Sequence, residues 1–298
     1  MYELLGLEIA LGECTTVGSL QVIPLVTTTT TTPPYLTGPE ASAAGLLQVT
    51  ELDPPQVPFL AVANLADVPI LLVEGELLVG GDQDRTMNVT VLCPPGETTV
   101  VPVSCVEAGR WGARRPMAST GRHAPGSLRA KKTRSQGIRA GTPYDRLSDQ
   151  SEVWESVDRV ARHRAVESET AALEDVNRDA EDRIGAELER ITAGSGQTGV
   201  ICLLGDEVVG MDLFDRPETL RHYLRGIVAG HALDAVDGTT AVDPFRAVGE
   251  FLARVDAADR EAGAGVGLGE EIVFRGGISG VGLTYGGTLV HIAAFPAG

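Results

Sequence analysis

Asp149-Gln-Ser-Glu-Val-Trp-Glu-Ser-Val-Asp-Arg-Val-Ala161 is the stretch where the apolar period of this chain changes from that of a strand to that of a helix. Trp154, Val157 and Ala161 recur at spacings of three and four, and Asp149 followed by Glu152 supplies a capping box. The stripe continues through Leu173, Val176, Ala180, Ile184, Leu188 and Ile191 to a stop at Gly194. Ser168 to Thr170 interrupts it with cap-type residues, which predicts two helices and a bend. Further helices open at Asp215-Arg-Pro-Glu218 and at Asp243-Pro244, where proline suits the first turn. On the stripe of the helix that opens at Asp215, His231 reads as a core histidine.

Upstream of Asp149 the signal is different. Short apolar runs bounded by turn residues cover Ser19 to Val26, Leu46 to Leu52, Phe59 to Asn64, Ile70 to Val73, Thr86 to Leu92 and Thr98 to Val106, and these read as strands. Glu74-Gly75, Gly205-Asp206 and Gly286-Gly287 each separate two such runs and predict tight hairpins. Strands return at Glu271 to Phe274, Gly280 to Tyr285 and Thr288 to Phe295. Strands and helices segregate more than they alternate, so the expected class is α+β, with residues 1–298 forming one domain.

Charge divides the chain more sharply than hydrophobicity does. Twenty-four bases and 41 acids give a net charge of −17, yet residues 1–84 hold eleven acids and no base. Residues 110–146 hold ten bases against Asp145 alone, a local +9 that leaves −26 for the remainder. The part from 113 to 146 is poor in large apolar residues, which predicts a flexible basic loop or arm. No aromatic residue lies between Trp111 and Tyr144 to stack on bases, and the acidic body repels a phosphate backbone, so nucleic acid is not an expected partner.

Several function classes fall away. No run of about 18 residues lacks charge, so no membrane-spanning helix is expected. The base-free N-terminal stretch argues against a secretory leader. Four scattered cysteines suit reduced thiols in the cytoplasm. Gly194-Ser-Gly-Gln-Thr-Gly199 has the letters of a dinucleotide fingerprint, but a helix precedes it and a strand follows, the reverse of what phosphate binding needs. The five histidines show no ligand spacing, so neither a metal site nor a cofactor is expected.

One dense constellation remains, between residues 74 and 111. Gly80 and Gly81 allow close backbone approach or positive φ. Arg85 follows a long acidic stretch and is either ion-paired or offered to an anion, and the same alternatives hold for Arg110 with Glu74, Glu76 and Glu107 as partners. Glu76, Gly81, Gln83, Arg85, Asn88, Arg110 and Trp111 are the candidate ligand-binding residues. Strand alternation puts Cys105 and Glu107 on one face, and His291 is the candidate base, so these three form the candidate catalytic set. A buried, inert Cys105 is the competing reading.

The segments Pro58-Phe-Leu-Ala-Val-Ala-Asn64, Leu72-Val-Glu-Gly-Glu76, Gly80-Gly-Asp-Gln-Asp-Arg85 and Val103-Ser-Cys-Val-Glu-Ala-Gly-Arg-Trp111 resemble a prokaryotic family of uncharacterised function. It is the ARG and rhodanese-phosphatase-superfamily-associated protein family, ARG being ADP-ribosylglycohydrolase. Relatives tend to carry Lys-Gln-Asn-Arg where this chain has Asp82-Gln83-Asp84-Arg85, which removes a positive charge from the loop. The resemblance implies a place in ADP-ribose or nucleotide-linked processing in stress or defence, and no reaction. Two classes follow. A binding or accessory module, recognising a nucleotide-like ligand or a protein partner through residues 74–111, predicts that Arg85→Ala weakens binding and Cys105→Ser does not. A cysteine- or carboxylate-dependent hydrolase of an ADP-ribose-type substrate predicts loss of turnover on Cys105→Ser or Glu107→Gln.

Overall fold

A computed structural model describes residues 1–28, 32–110, 115–136, 142–235 and 243–297. The chain opens with β1 (Tyr2–Leu4), β2 (Leu7–Leu11), β3 (Thr15–Val17), β4 (Leu20–Thr27) and β5 (Leu36–Thr37), followed by α1 (Gly38–Ala43). Next come β6 (Leu47–Glu51), β7 (Phe59–Asn64), β8 (Ile70–Leu72), β9 (Glu76–Gly81), β10 (Arg85–Met87), β11 (Val91–Cys93) and β12 (Thr98–Cys105). After β13 (Arg115–His123) and α2 (Gly126–Ser135), a 3-10 turn spans Pro143–Arg146. The helices α3 (Gln150–Arg164) and α4 (Leu173–Leu188) lead to the hairpin of β14 (Gln197–Leu204) and β15 (Glu207–Phe214). The chain ends with α5 (Pro217–Leu233), α6 (Pro244–Asp256), β16 (Asp259–Ala264), β17 (Glu270–Arg275), β18 (Ile278–Tyr285) and β19 (Thr288–Pro296).

These elements form an α+β unit with two sheet bodies and a small connecting sheet. The large antiparallel sheet runs β1-β2-β4-β14-β15-β19-β18-β17-β16, with β3 also on β4. A closed barrel runs β10-β12-β7-β6-β13-β9, and β11-β8-β5 form a small third sheet. The barrel is therefore inserted between two neighbouring strands of the large sheet, since β4 pairs with β14 in register Leu20↔Leu204 to Val26↔Gln197.

The central strands of the large sheet read as unbroken apolar runs because both faces are covered. Val200, Cys202 and Phe214 pack against Leu220, Leu224, Ile227 and Val228 of α5. The alternate residues Ile201, Leu203, Met211 and Leu213 pack against Val248, Phe251, Leu252 and Val255 of α6. Inside the barrel lie Leu60, Val62, Leu78, Met87, Val101 and Val103.

The hairpins at Gly205 and Gly286-Gly287 form, with these glycines at positive φ. The one at Glu74-Gly75 does not: β8 pairs with β5 and β11, whereas β9 pairs with β10 and β13, so the chain crosses between sheets there. The two helices with a break are present, Asp149 Oδ1 accepting from the Ser151 and Glu152 amides at 2.8 and 3.3 Å. The second buries Leu173, Val176, Ala180 and Leu188 as expected, whereas the stripe of the first is displaced. Val153, Val157 and Val160 are buried, and Trp154 is exposed.

The basic segment is the main correction. Over its described part, residues 113–146 are not a flexible arm: β13 is barrel wall, and α2 lies beneath the large sheet with Arg129 and Lys132 fully buried. It lacks large apolar residues because it docks through ion pairs, which an apolar-pattern reading does not detect. No helix among the described residues is long and apolar enough to cross a membrane.

Candidate functional site

The expected 74–111 constellation separates into three buried clusters. In the first, Glu74 Oε2 accepts from Arg129 Nε at 2.9 Å, and Arg129 Nη1 and Nη2 reach Asp212 Oδ2 and Oδ1 at 3.0 and 2.6 Å. Lys132 Nζ lies 3.4 Å from Glu74 and donates to the Met87 carbonyl at 2.6 Å. Burial works against the charge of Arg129, yet Asp212 and Glu74 hold its pKa above the ordinary value. Burial lowers the Lys132 ammonium to about 8 in spite of Glu74. This cluster is sealed, and it fastens α2 to both sheet bodies.

In the second, Glu76 is fully buried, accepting from the Val73 amide at 3.0 Å and from the Ser119 hydroxyl. Burial raises its pKa to about 7, and these bonds only partly oppose the rise.

The third closes one end of the barrel. Arg110 Nε meets both oxygens of Glu107 at 2.9 Å, and its Nη atoms reach the carbonyls of Gly81 and Gly80 at 2.7 and 3.3 Å and Asp84 Oδ1 at 3.0 Å. With those acceptors in place Arg110 is a structural clasp, the ion-paired alternative raised by the sequence. Burial would raise the Glu107 carboxyl, but Arg110, the Asp84 amide and the Thr170 hydroxyl together hold it below the usual range. Asn88 is likewise consumed, donating to the Arg146 carbonyl at 3.0 Å and accepting from Ser104 at 2.8 Å. Trp111 lies outside the described residues.

The candidate catalytic set is not brought together. Cys105 sits in the barrel wall opposite Arg85, its amide and carbonyl held by Gln150 at 2.9 and 2.8 Å. Burial raises its thiol to about 11. His291 is in the large sheet, stacked on Phe214, with its ring nitrogens 2.8 Å from Thr90 Oγ1 and 3.2 Å from Asp212 Oδ1. Neither nitrogen is bonded to Cys105. A protonated, enclosed thiol without a base is not an activated nucleophile.

Arg85 differs from Arg110. It is 1% exposed and makes only long contacts, Nη1 to Gln83 Oε1 at 3.4 Å and Nη2 to Glu51 Oε1 at 3.5 Å, and its Nε has no partner among the described residues. Gln83 in turn spans to the Ala108 carbonyl at 3.4 Å. Glu51, which the sequence did not single out, is where this buried charge comes to the surface. Its carboxylate also accepts from the Asp82 amide at 3.3 Å and lines a cleft of about 580 Å3.

That cleft exists because the barrel is weakly closed at one seam. β6 and β13 share a single register pair, Met117↔Val49, and β13 shifts register against β9 on either side of Ala118-Ser119. Gly80 and Gly81, at φ +128° and +59°, produce the local bend; a Cβ on Gly80 would collide with the Pro116 carbonyl. Gly81, Glu51, Asp53 and Arg115 provide the polar part of the cleft, and Leu47, Pro116 and Met117 the apolar part.

The family's sequence profile matches residues 8–295, nearly the whole length described above. The chain belongs to the ARG and Rhodanese-Phosphatase-superfamily-associated Protein domain family. No curated protein and no solved structure matches it significantly. The ARG and rhodanese-phosphatase-associated family is thus defined by association with those two superfamilies, and the match embraces the barrel, α2 and the large sheet alike.

Proposed function

We propose that the protein is a non-catalytic binding module, accessory to ADP-ribose-linked processing, that seats a nucleotide-like ligand in the cleft at the barrel seam. The observation that carries this reading is Glu51: a carboxylate at the cleft wall, backed by the fully buried Arg85 at 3.5 Å and beside the apolar surface of Met117 and Pro116. Acidic side chains accept from the hydroxyls of a ribose, and an apolar wall accommodates a base. Arg115, exposed at the rim, is placed for a phosphate. A volume near 580 Å3 falls within the roughly 300–1,000 Å3 usual for small-molecule sites. The buried thiol of Cys105 and the occupied His291 favour binding over hydrolysis.

Calorimetric titration with ADP-ribose tests the reading. Asp53→Asn and Arg115→Ala alter exposed cleft residues and leave the barrel core intact; each should weaken binding by about ten-fold, the value of one good polar contact. Unchanged affinity in both variants, or no heat with the parent protein, overturns it.

A further inference from the structure

On the outer wall of the barrel, three neighbouring strands present a face without charge. Gln48 of β6, Ala63 of β7 and Thr98 of β12 stand in one register row, and Thr50, Ala61 and Val100 in the next. Strand alternation turns all six outward, since the intervening Val49, Val62 and Val101 fill the barrel. Leu65, whose amide donates to the Leu46 carbonyl at 2.9 Å and so prolongs the ladder, caps one end of the face and is 56% exposed. Phe59 follows Ala61 at the other end, where Tyr144 meets it edge-on at 4.8 Å between ring centres and is itself 65% exposed. Val100 between these ends is 38% exposed.

A sheet face left in water ordinarily carries polar and charged side chains. Here three of the seven large apolar side chains exposed among the described residues fall on one face, in a chain whose net charge is −17. A concentration of that kind marks a docking surface. Its lack of charge says which occupant it fits. A basic partner finds no carboxylate on it to pair with, and an acidic one is repelled by the rest of the chain. In a twofold contact the same patch faces itself, so a charge near the axis would oppose its own copy, and a neutral face avoids that cost. The area sets the strength. Three strands about 4.8 Å apart and six steps of about 3.4 Å give a core of about 15 by 20 Å. Such a core needs its rim to reach the roughly 1,000 Å2 total of a specific interface, so the association is weak and reversible.

We propose that this face docks a second copy of the chain, the two three-stranded faces packing on each other across a twofold axis near Val100 and Ala61. Sheets packed in this way keep their strands within about 30° of each other. Gln48 and Thr50 also line the barrel-seam cleft, so the cleft opens at the rim of the contact. The dimer does not depend on what that cleft binds. Because each copy carries −17, long-range repulsion opposes the contact and salt relieves it.

Analytical ultracentrifugation of the full chain, from about 5 to 500 µM at about 50 and 500 mM sodium chloride, tests this. The chain should pass from monomer to dimer with rising concentration, and the dimer should tighten several-fold at the higher salt. Val100→Glu and Val100→Lys each set a charge against its own copy and should weaken association by at least about ten-fold. An equimolar mixture of these two variants should associate more tightly than either alone, because opposite charges then meet. Leu65→Ser probes the far end of the face and should also weaken the dimer. All three substitutions fall on exposed side chains, and an unchanged thermal midpoint shows that each variant is folded. A chain that remains monomeric to about 500 µM overturns the proposal. So does association that weakens with salt, a variant that dimerises like the parent, or a mixture no tighter than its components.

Discussion

Arg129 Nη2 lies 2.6 Å from Asp212 Oδ1, and both side chains are fully buried. The pair joins the centre of the basic segment to the middle of the large sheet, and Glu74 on the opposite side of the guanidinium extends it to the connection between β8 and β9. Removing the cation would leave two carboxylates in the interior. Arg129→Met is therefore expected to destabilise the fold by about 3–5 kcal/mol, the usual cost of breaking a buried pair from one side. Urea unfolding monitored by fluorescence measures it, and a loss below about 1 kcal/mol would contradict the placement.

Glu76 gives a stability profile with an unusual sign. Its folded pKa is raised to about 7 from an ordinary 4.5, so between those values the folded chain holds a proton that the unfolded chain has released. The group costs nothing below pH 4.5, and its penalty grows as the pH rises to about 7, where it reaches a few kcal/mol. Glu76→Gln keeps an acceptor for Ser119 without the charge. The stability difference between variant and parent should be smallest near pH 4.5 and should grow in favour of the variant up to pH 7. A difference independent of pH would show that Glu76 does not titrate in this range. The comparison must be differential because buried His123 and His231, lowered to about 3 and 4, contribute the opposite slope.

The thiols should divide by burial. All four are free; Cys93, Cys105 and Cys202 are buried and their pKa values raised, and Cys14 is half-buried at the edge. A chromogenic disulfide reagent at pH 8 should modify one thiol rapidly in the folded protein and all four after denaturation. Rapid modification of Cys105 in the native state, located by mass spectrometry, would restore it as a reactive centre.

Gly81 couples the barrel seam to the cleft. It adopts φ +59°, and a Cβ there would run into the Met117 methyl and stand 3.1 Å from Glu51 Oε1. Gly81→Ala is expected to cost about 1–3 kcal/mol and to weaken binding in the cleft together with stability. Thermal unfolding and ADP-ribose titration on the same preparation check both. Unimpaired affinity in a destabilised variant would separate the glycine from the cleft.

What the sequence disclosed follows from which interactions leave a periodic trace. The strands around Phe59 to Asn64 and Thr98 to Cys105, the broken helix pair and the proline-started helices were all legible, because burying an apolar face imposes a period. Segment 113–146 was misread for the complementary reason. Lys132 reaches Glu74, 58 positions earlier in the sequence, and Arg129 reaches Asp212, 83 positions later, so the partners that make α2 an interior helix are invisible in its neighbourhood. Asp212 carried a weak signal, as a lone carboxylate within the apolar run from Val208 to Phe214. Glu51 carried none, since an acid at the end of a strand is ordinary until its partner at Arg85 is known. The division of residues 74–111 among three clusters was also hidden, because it depends on the chain leaving one sheet for another at Glu74-Gly75.

The insertion of the barrel between β4 and β14 constrains the order of events while the chain is being made. On a ribosome β4 emerges about 170 residues before the strand it pairs with, as the Thr27 to Thr198 hydrogen bond illustrates with a separation of 171. Until β14 appears, the apolar edge of β4 must stay exposed or be shielded by another factor. Arg129 must wait a further 83 residues for Asp212, and Asp212 another 79 for His291. A desolvated guanidinium is tolerated only when its carboxylates are present. The barrel can therefore curl early, but α2 can dock for good only when nearly the whole polypeptide has left the exit tunnel, so nascent chains halted before residue 212 should remain protease-sensitive across 124–136 however long they are given.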